Sequence, residues 1–584
     1  MPLGTPLLVP IDRRGGARPR YVSPMRCSIL STLSAAVLVL LAAPRLSGQW
    51  QASTGPAGSS LGAVVGSDIE RYLRTLSIAG VVLPVPWGAR PYGADELRDF
   101  LRDTAVKDHP WRALIASELS GHAAAGASVM FSGNSGFAWG ANDGALWQGR
   151  GVTVAAGLAA TIHWGPLTAV AAPVAFAAQN ISFDLIPIAG NSPYRDSQFS
   201  TAVDRPQRMG AGAYRRIDPG ESSVRLRIGP GVAGISSASL GWGVGETFPA
   251  IFGPNAGGFS HLFAGTAGRG IPVPFLGRVS ARYVLGVLEQ SRWSPVEGSS
   301  VYVDDTQVGT RRVGSGLTIS LMPAVFAGLE LGASRFYHTP FTGRATRWRA
   351  WSKPIEGIFK SSRPDAASPG DVGNLIDNQL ASFFARWTFP RRGVEATVEF
   401  LREDHSFDSR DFTQEPENNG AYFGSLRGVV QRSASRLSTV TLEFFDGDVS
   451  PIAQVRSQGS LYAHMPLRQG HTLRGQLLGA PVGVGAVAGS RVAFDRFQTA
   501  GSTRLAIQRW RLRSQRSTDP EQLYRPPNQK IPNSHDWVLD FTAGVSRLRR
   551  QQVVSADVGV AWAGQWHFDS SRTNVYARLG WTGF

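Results

Sequence analysis

The chain has 584 residues and a single cysteine, Cys27. One thiol cannot close an intrachain disulfide, so ladders and packing must hold the fold. Long hydrophobic runs are also missing. Beyond the N-terminus no apolar stretch approaches the ~20 residues that a spanning helix needs. Mean hydropathy is −0.09, which excludes a helical membrane protein. Charged residues make up only 17% of the chain, low for a large soluble enzyme. The ten histidines are scattered, with no pair at zinc-site spacing. His405 beside Asp404 and Asp408 has a spacing common by chance. No metal and no cofactor is expected. The GxG runs lack the strand–helix context of a nucleotide loop. Glu246 and His261 share a segment, yet no serine is placed as their nucleophile, so no catalytic set is assigned.

What is present is glycine (67), tryptophan (16) and alternation. Gly- and aromatic-rich strands of near-neutral average hydropathy are what alternating lipid-facing and lumen-facing residues produce. The clearest case runs from Asp377 to Asp404. Ala381, Phe383, Ala385, Trp387 and Phe389 alternate with Ser382, Phe384, Arg386 and Thr388. After Pro390-Arg391-Arg392-Gly393, Val394, Ala396, Val398 and Phe400 alternate with Glu395, Thr397 and Glu399. Pairing Phe389 with Val394 puts every apolar residue on one face, as the period of two requires. In a membrane barrel that face meets lipid. The face with Arg386, Glu395, Glu399 and then Glu403 lines the lumen, where an ion-pair ladder would fill it.

Similar runs recur at Val152–Ile162, Val224–Ile228, Val279–Val287, Val440–Phe444, Leu473–Leu477, Trp537–Val545 and Val554–Trp562. Each suits a tilted spanning strand of ~9–11 residues or slightly fewer. Trp164, Trp387, Trp510, Trp537 and Trp562 lie near run ends, as interfacial girdles do. The last strand must pair with the first, because an open edge cannot exist in lipid. Phe584 is a terminal aromatic, out of phase with Val575, Ala577, Leu579 and Trp581. The predicted fold is a transmembrane antiparallel β-barrel over 123–584, mainly β, preceded by a small α-helical domain.

Residues 1–48 read as a secretory signal peptide. Arg18, Arg20 and Arg26 precede the apolar run Ile29 to Ala43, with a cleavage site near Gly48-Gln49 and Met25 as a second candidate start. Residues 49–66 are a Gly/Ser/Ala/Pro-rich linker. Residues 67–122 are expected to form three short helices on the periplasmic side. Asp68 is the expected N-cap of the first, with Ile69, Tyr72, Leu73 and Leu76 on one face. Asp95 opens the second, and Trp111, Leu114, Ile115 and Leu119 point inward in the third.

Net charge is +16, with a pI near 10.5. The arginines are spread over strands and loops, which argues against nucleic acid. Basic loops of an exported barrel would face lipopolysaccharide phosphates or an acidic polysaccharide. Thr342 to Asn374 and Arg509 to His535 are long enough to be extracellular loops, and both mix basic and aromatic residues.

Three segments, in order, resemble the Wzi family of outer-membrane capsule assembly proteins. They are DIERYLRTLSIAGVVLPVPWGARPYGADEL (Asp68 to Leu97), GWGVGETFPAIFGPNAGGFSHLF (Gly241 to Phe263), and DNQLASFFARWTFP followed by VEFLRED. The second departs from a Trp-Trp-Gly-Pro-Gly type run, having Gly241-Trp242-Gly243-Val244-Gly245. The resemblance implies a helical bundle, a barrel of about 18 strands, location in the bacterial outer membrane, and lectin-like binding of capsular polysaccharide. It implies no catalysis. The partners expected are surface polysaccharide, lipopolysaccharide, outer-membrane lipid and, through the last strand, the barrel assembly machinery.

Sugar binding needs flat apolar faces beside hydrogen-bonding groups. Trp242, Glu246, Phe252 and Asn255 offer these within one segment, and Arg347, Trp348 and Trp351 within a long loop. A porin-like passive channel is the alternative, and an outer-membrane hydrolase a third. A channel keeps a water path through the lumen, whereas a binding protein of this kind fills it.

Overall fold

A computed structural model describes residues 55–102, 108–185, 203–294, 311–341, 350–356, 377–403, 409–417, 420–447, 461–464, 467, 469–485, 487–514, 535–549, 551–566 and 570–583. Cys27, Arg347, Trp348, His405 and Phe584 lie outside them.

Eighteen antiparallel strands form a closed barrel, from Ala123–Asn134 to Ser570–Gly583. Those two strands pair with each other, Met130 opposite Gly580, which leaves no edge. The Asn378–Phe389/Val394–Glu403 hairpin has the register that alternation requires, with Phe389 opposite Val394 and Phe383 opposite Phe400. Its two faces are distinct: Phe383 and Val398 are 59% and 60% exposed, Phe384 and Glu399 4% and 2%. Leu158, Ile217, Leu262, Leu442 and Leu579 are likewise exposed on the outer wall. Large apolar side chains around a closed wall are stable only in contact with lipid. Three strands are each made of two segments. Leu167–Ala171 gives way to Val174–Ala178 at Pro173, which has no N–H to continue the ladder.

Tight turns such as 164–167, 228–231, 433–436 and 498–501 close one end of the barrel. The long connections, including those between 178 and 214, 236 and 260, 340 and 378, and 446 and 488, all leave and re-enter the wall at the other. Leu473 and Leu477, expected on a spanning strand, belong instead to a short hairpin inside the last of these. Thr472–Leu473 pairs with Gln476–Leu477, and both leucines are buried. Their alternation reflects a local ladder in the interior.

Three helices plug the tight-turn end: α1 (Asp68–Ile78), α2 (Ala94–Arg102) and α3 (Arg112–Ser120). Ser67, not Asp68, caps α1, accepting from Glu70 N–H at 3.2 Å. Asp68 lies one residue inside, paired with Arg71. Asp95 is likewise inside α2, and Glu96 accepts from Gly93 N–H at 2.7 Å. Every residue of α1 is buried. Tyr72, Leu76, Phe100, Trp111 and Ile115 share one core with Leu437 and Phe497 of the barrel's turn end. Trp111 Nε1 donates to Gln498 O at 2.9 Å across that junction. None of the described helices is long and apolar enough to cross a membrane.

Candidate functional site

The lumen is filled from both ends. From the turn end, α1 and the segment after it meet a ladder of buried charges on the wall. Arg386 Nε donates to Glu395 Oε2 at 2.7 Å, and Arg74 Nε of α1 donates to Glu395 Oε1 at 2.7 Å. Arg386 also reaches Glu330 at 3.3 Å and Val85 O at 2.9 Å. Glu330 in turn accepts from Trp87 N–H at 2.8 Å and Gly88 N–H at 3.0 Å. The Trp87 ring packs between the guanidinium groups of Arg74, Arg90 and Arg386, each within 6 Å of its centroid. The wall carboxylates thus neutralise one another's partners and fasten the cap.

From the long-loop end, connection 236–260 folds inward. Gly241–Trp242 adds a two-residue strand to Ala89–Arg90, so the two fillings touch. Glu443 accepts from three successive N–H groups, those of Glu246, Thr247 and Phe248, at 2.9, 3.0 and 3.2 Å. Glu399 accepts from Val244 N–H at 3.1 Å. Glu246 is paired with Arg427 and, at 2.9 Å, Arg504. Burial alone would raise its carboxyl; the guanidinium groups of Arg427, Arg504 and Arg491 outweigh that and hold it well below the usual carboxylate range.

Tyr462 and the hairpin at 472–477 pack over this loop. Tyr462 Oη donates to Ala250 O at 2.6 Å, and His471 Nε2 lies 2.6 Å from Ile251 O. Glu403 accepts from Tyr462 N–H and from Asn378 Nδ2 at 2.9 Å.

The expected lumen network is therefore Arg386–Glu395 extended by Glu330 and Arg74. Among the described residues, Glu399 and Glu403 serve the inward loops. Each holds an inward loop by a backbone N–H, although Arg386 lies diagonal to Glu399 as well as to Glu395. Glu330 and Arg74 were not singled out in the sequence. Arg74 is one of several polar residues on a helix that is buried all round, a signal legible only once that burial is known.

The carbohydrate candidates separate. Trp242 and Phe252 are 0% and 1% exposed, packed edge-to-face at 5.0 Å, with Phe252 against Phe336 at 4.7 Å. They offer no face to a ligand; folding the loop inward makes them core. Asn255 is also spent internally, donating to Leu477 O at 2.8 Å and accepting from Asn142 N–H at 3.2 Å. Glu246 is held by its arginines. Trp351 is half exposed, but on the outside of the wall, where Tyr283 Oη donates to its carbonyl at 2.8 Å and Arg335 to Glu356 O at 2.6 Å. At the long-loop end an aromatic cleft, which no sequence motif marks, is lined by Trp139, Trp147, Trp510 and Trp566. Its tryptophans lie far apart in sequence and share no motif. Among the described residues no group of three His, Cys, Asp or Glu side chains could hold a metal ion.

A closed eighteen-strand barrel with an apolar outer wall is a bacterial outer-membrane β-barrel. No protein-family model and no curated protein matches the chain. Among solved structures, it is similar to Wzi of Escherichia coli, an outer-membrane protein involved in group 1 capsule assembly and a carbohydrate-binding β-barrel. The TM-score is 0.58 at 15% identity, over 89% of this chain and 99% of that one. At that identity the likeness establishes the fold. Two Pseudomonas aeruginosa proteins, OprD and OccD3, align at TM-scores of 0.36 and 0.35, with 8% and 10% identity. They cover 79% of this chain and 94% and 91% of their own. Likeness that low has no bearing on function.

Proposed function

We propose that this protein is a non-catalytic component of surface-polysaccharide assembly that binds or anchors polysaccharide at the outer face of the outer membrane. The observation that carries the proposal is the filled lumen. The wall carboxylates Glu330, Glu395, Glu399, Glu403 and Glu443 are bonded to the helical cap from one end and to the inward loops from the other. A passive channel would need that space. The carbohydrate-binding character of Wzi, whose fold this chain has, supports the same reading.

Barrels of this class place short turns in the periplasm and long loops outside. The helical cap is then periplasmic, and the long connections meet polysaccharide and lipopolysaccharide. The half-exposed Trp351, on the outside of the wall, suits the lipid interface better than a polysaccharide site. The last strand, Ser570–Gly583, is the segment the barrel assembly machinery would meet.

The test is retention. A strain lacking the protein should shed labelled surface polysaccharide into the medium, and purified protein should hold that polysaccharide on a column. Undiminished cell-bound polysaccharide in the deletion strain, together with no retention by the purified protein, would refute the proposal.

A further inference from the structure

The turn end of the barrel has two unlike sides. In order around the wall, the turns at 164–167, 228–231, 273–277 and 323–329 contain no charged residue. Their tips are apolar and open. Trp164, Ile228 and Val325 are each at least 70% exposed, and Phe275 is wholly exposed at φ +64°. A phenylalanine rarely adopts that left-handed backbone, and a ring held out this way gains nothing from water, so these tips suit a lipid leaflet.

The next four turns, 389–394, 433–436, 498–501 and 547–552, hold six arginines and no acid. Arg391, Arg392, Arg436, Arg547 and Arg549 are exposed, and none of these five has an ion-pair partner among the described residues. Glu118 of the helical cap bonds to the Gln551 side chain beside them and, among the described residues, to no arginine.

Alternation fixes which way the strand arginines point. Arg547 and Arg549 continue the outer face of Phe541, Ala543 and Val545, while Asp540 and Ser546 face the lumen. Arg436 shares the outer face of Val440, Leu442 and Phe444. The register puts Arg436 and Arg547 on one level: Arg436 lies opposite Gln498, Gln498 opposite Gly501, and Gly501 opposite Arg547. They are three strand spacings, about 14 Å, apart along the wall. An outward arginine is costly at the bilayer centre and nearly free at its surface, so this row marks headgroup depth. A soluble protein approaching the turn end does not reach an outward wall position at that depth, whereas a lipid headgroup does. The guanidinium fork matches paired phosphate oxygens, and basic side chains at a membrane surface attract anionic lipid.

We infer that this basic arc is a docking surface for anionic phospholipid, with headgroup phosphates on Arg436, Arg547 and Arg549, and that the barrel gathers such lipid on one side of its circumference. The inference is independent of the polysaccharide function proposed above.

Spin-label resonance on the full protein, reconstituted in phosphatidylcholine vesicles, reads the selectivity. Phosphatidylglycerol and phosphatidylcholine probes carry the same labelled acyl chain and differ only in the headgroup. The wild type should hold the phosphatidylglycerol probe about threefold more strongly, the average of roughly fivefold along the basic arc and no preference elsewhere. High salt should remove most of that preference. Arg436→Gln/Arg547→Gln/Arg549→Gln should bring the ratio to about one, and Arg547→Gln alone to about two. Phe275→Ser/Val325→Ser, on the uncharged side, should leave the ratio as in the wild type. Heat-modifiable mobility in gels confirms that each variant is folded, and the single variant carries the test if the triple one is not.

A wild-type ratio of one would overturn the inference and leave the arc to an acidic protein. A preference that survives the arginine substitutions, or one lost in Phe275→Ser/Val325→Ser, would overturn its placement on the basic arc.

Discussion

Replacing Glu395 by Gln keeps the side chain's shape and removes its charge. In the native protein both carboxylate oxygens are used at 2.7 Å, one by Arg74 of the cap and one by Arg386 of the wall. None of these three side chains is more than 2% exposed. Arg386 would keep Glu330 at 3.3 Å. Arg74 would keep no carboxylate partner among the described residues, and its Nη2 is already without an acceptor. Breaking a buried pair by removing one partner costs about 3–5 kcal/mol, because the other charge stays buried. Arg74 is on α1 and Glu395 on the wall, so the cost falls on docking of the cap. At about 1.4 kcal/mol per factor of ten, the undocked population should rise by roughly two to three and a half powers of ten. Native-state hydrogen exchange of the α1 amides reads this directly, and planar-bilayer recordings should show intermittent openings absent from the wild type. Removing the second charge as well, in Arg74→Met/Glu395→Gln, should recover most of the loss. Exchange in α1 unchanged within about twofold in Glu395→Gln would refute the view that this ladder fastens the cap.

Other outcomes follow from the same geometry. Gly243 has φ +78° and a Cβ there would run into the Glu399 carboxylate, so Gly243→Ala should loosen the inward loop. A cost of about 1–3 kcal/mol in thermal unfolding is expected; an unchanged melting temperature would contradict it. Phe383→Arg, mid-strand on the outer face, should cost about 2–4 kcal/mol in lipid refolding if that face meets hydrocarbon. No cost would mean that it does not. His109, beside Tyr72 Oη at 2.7 Å, is held down to about 4 by burial, with Arg112 adding to it. A depressed folded value means that the unfolded state takes up the proton first. Stability is therefore full above about 6.5 and is lost as pH falls toward 4, by roughly 3 kcal/mol in all. His109→Gln should flatten that part of the pH dependence of cap unfolding, and identical slopes for the two proteins would refute it.

The wall was legible in the sequence because a strand's period leaves no choice of face. Phe383, Trp387 and Val398 cannot share the lumen with Arg386 and Glu395, and the Pro390–Gly393 turn then sets the register. The plug was not legible in the same way. Gly241 to Phe259 has no period, so nothing in it distinguishes a rim loop exposing Trp242 from one that buries it. Its destination is decided by groups far away in the chain, Glu443, Glu399 and Tyr462, whose bonds to its backbone carry no sequence signal. Leu473 and Leu477 show the converse error: a real alternation, two residues long on each side, in the wrong place. Sequence does not separate Ser67 from Asp68 as the cap of α1, because both are good N-cap residues and one position separates them. The cleft was invisible for a different reason. Trp139, Trp147, Trp510 and Trp566 come from both ends of the barrel sequence, and only closure of the first strand on the last brings them together.

The most direct measurement is single-channel recording of the wild-type protein in planar bilayers. A lumen filled by α1, the inward connection 236–260 and the hairpin of Thr472–Leu477 predicts a silent membrane, with no steady ohmic current at moderate voltage. A stable open-pore current of porin size would contradict the account at its centre.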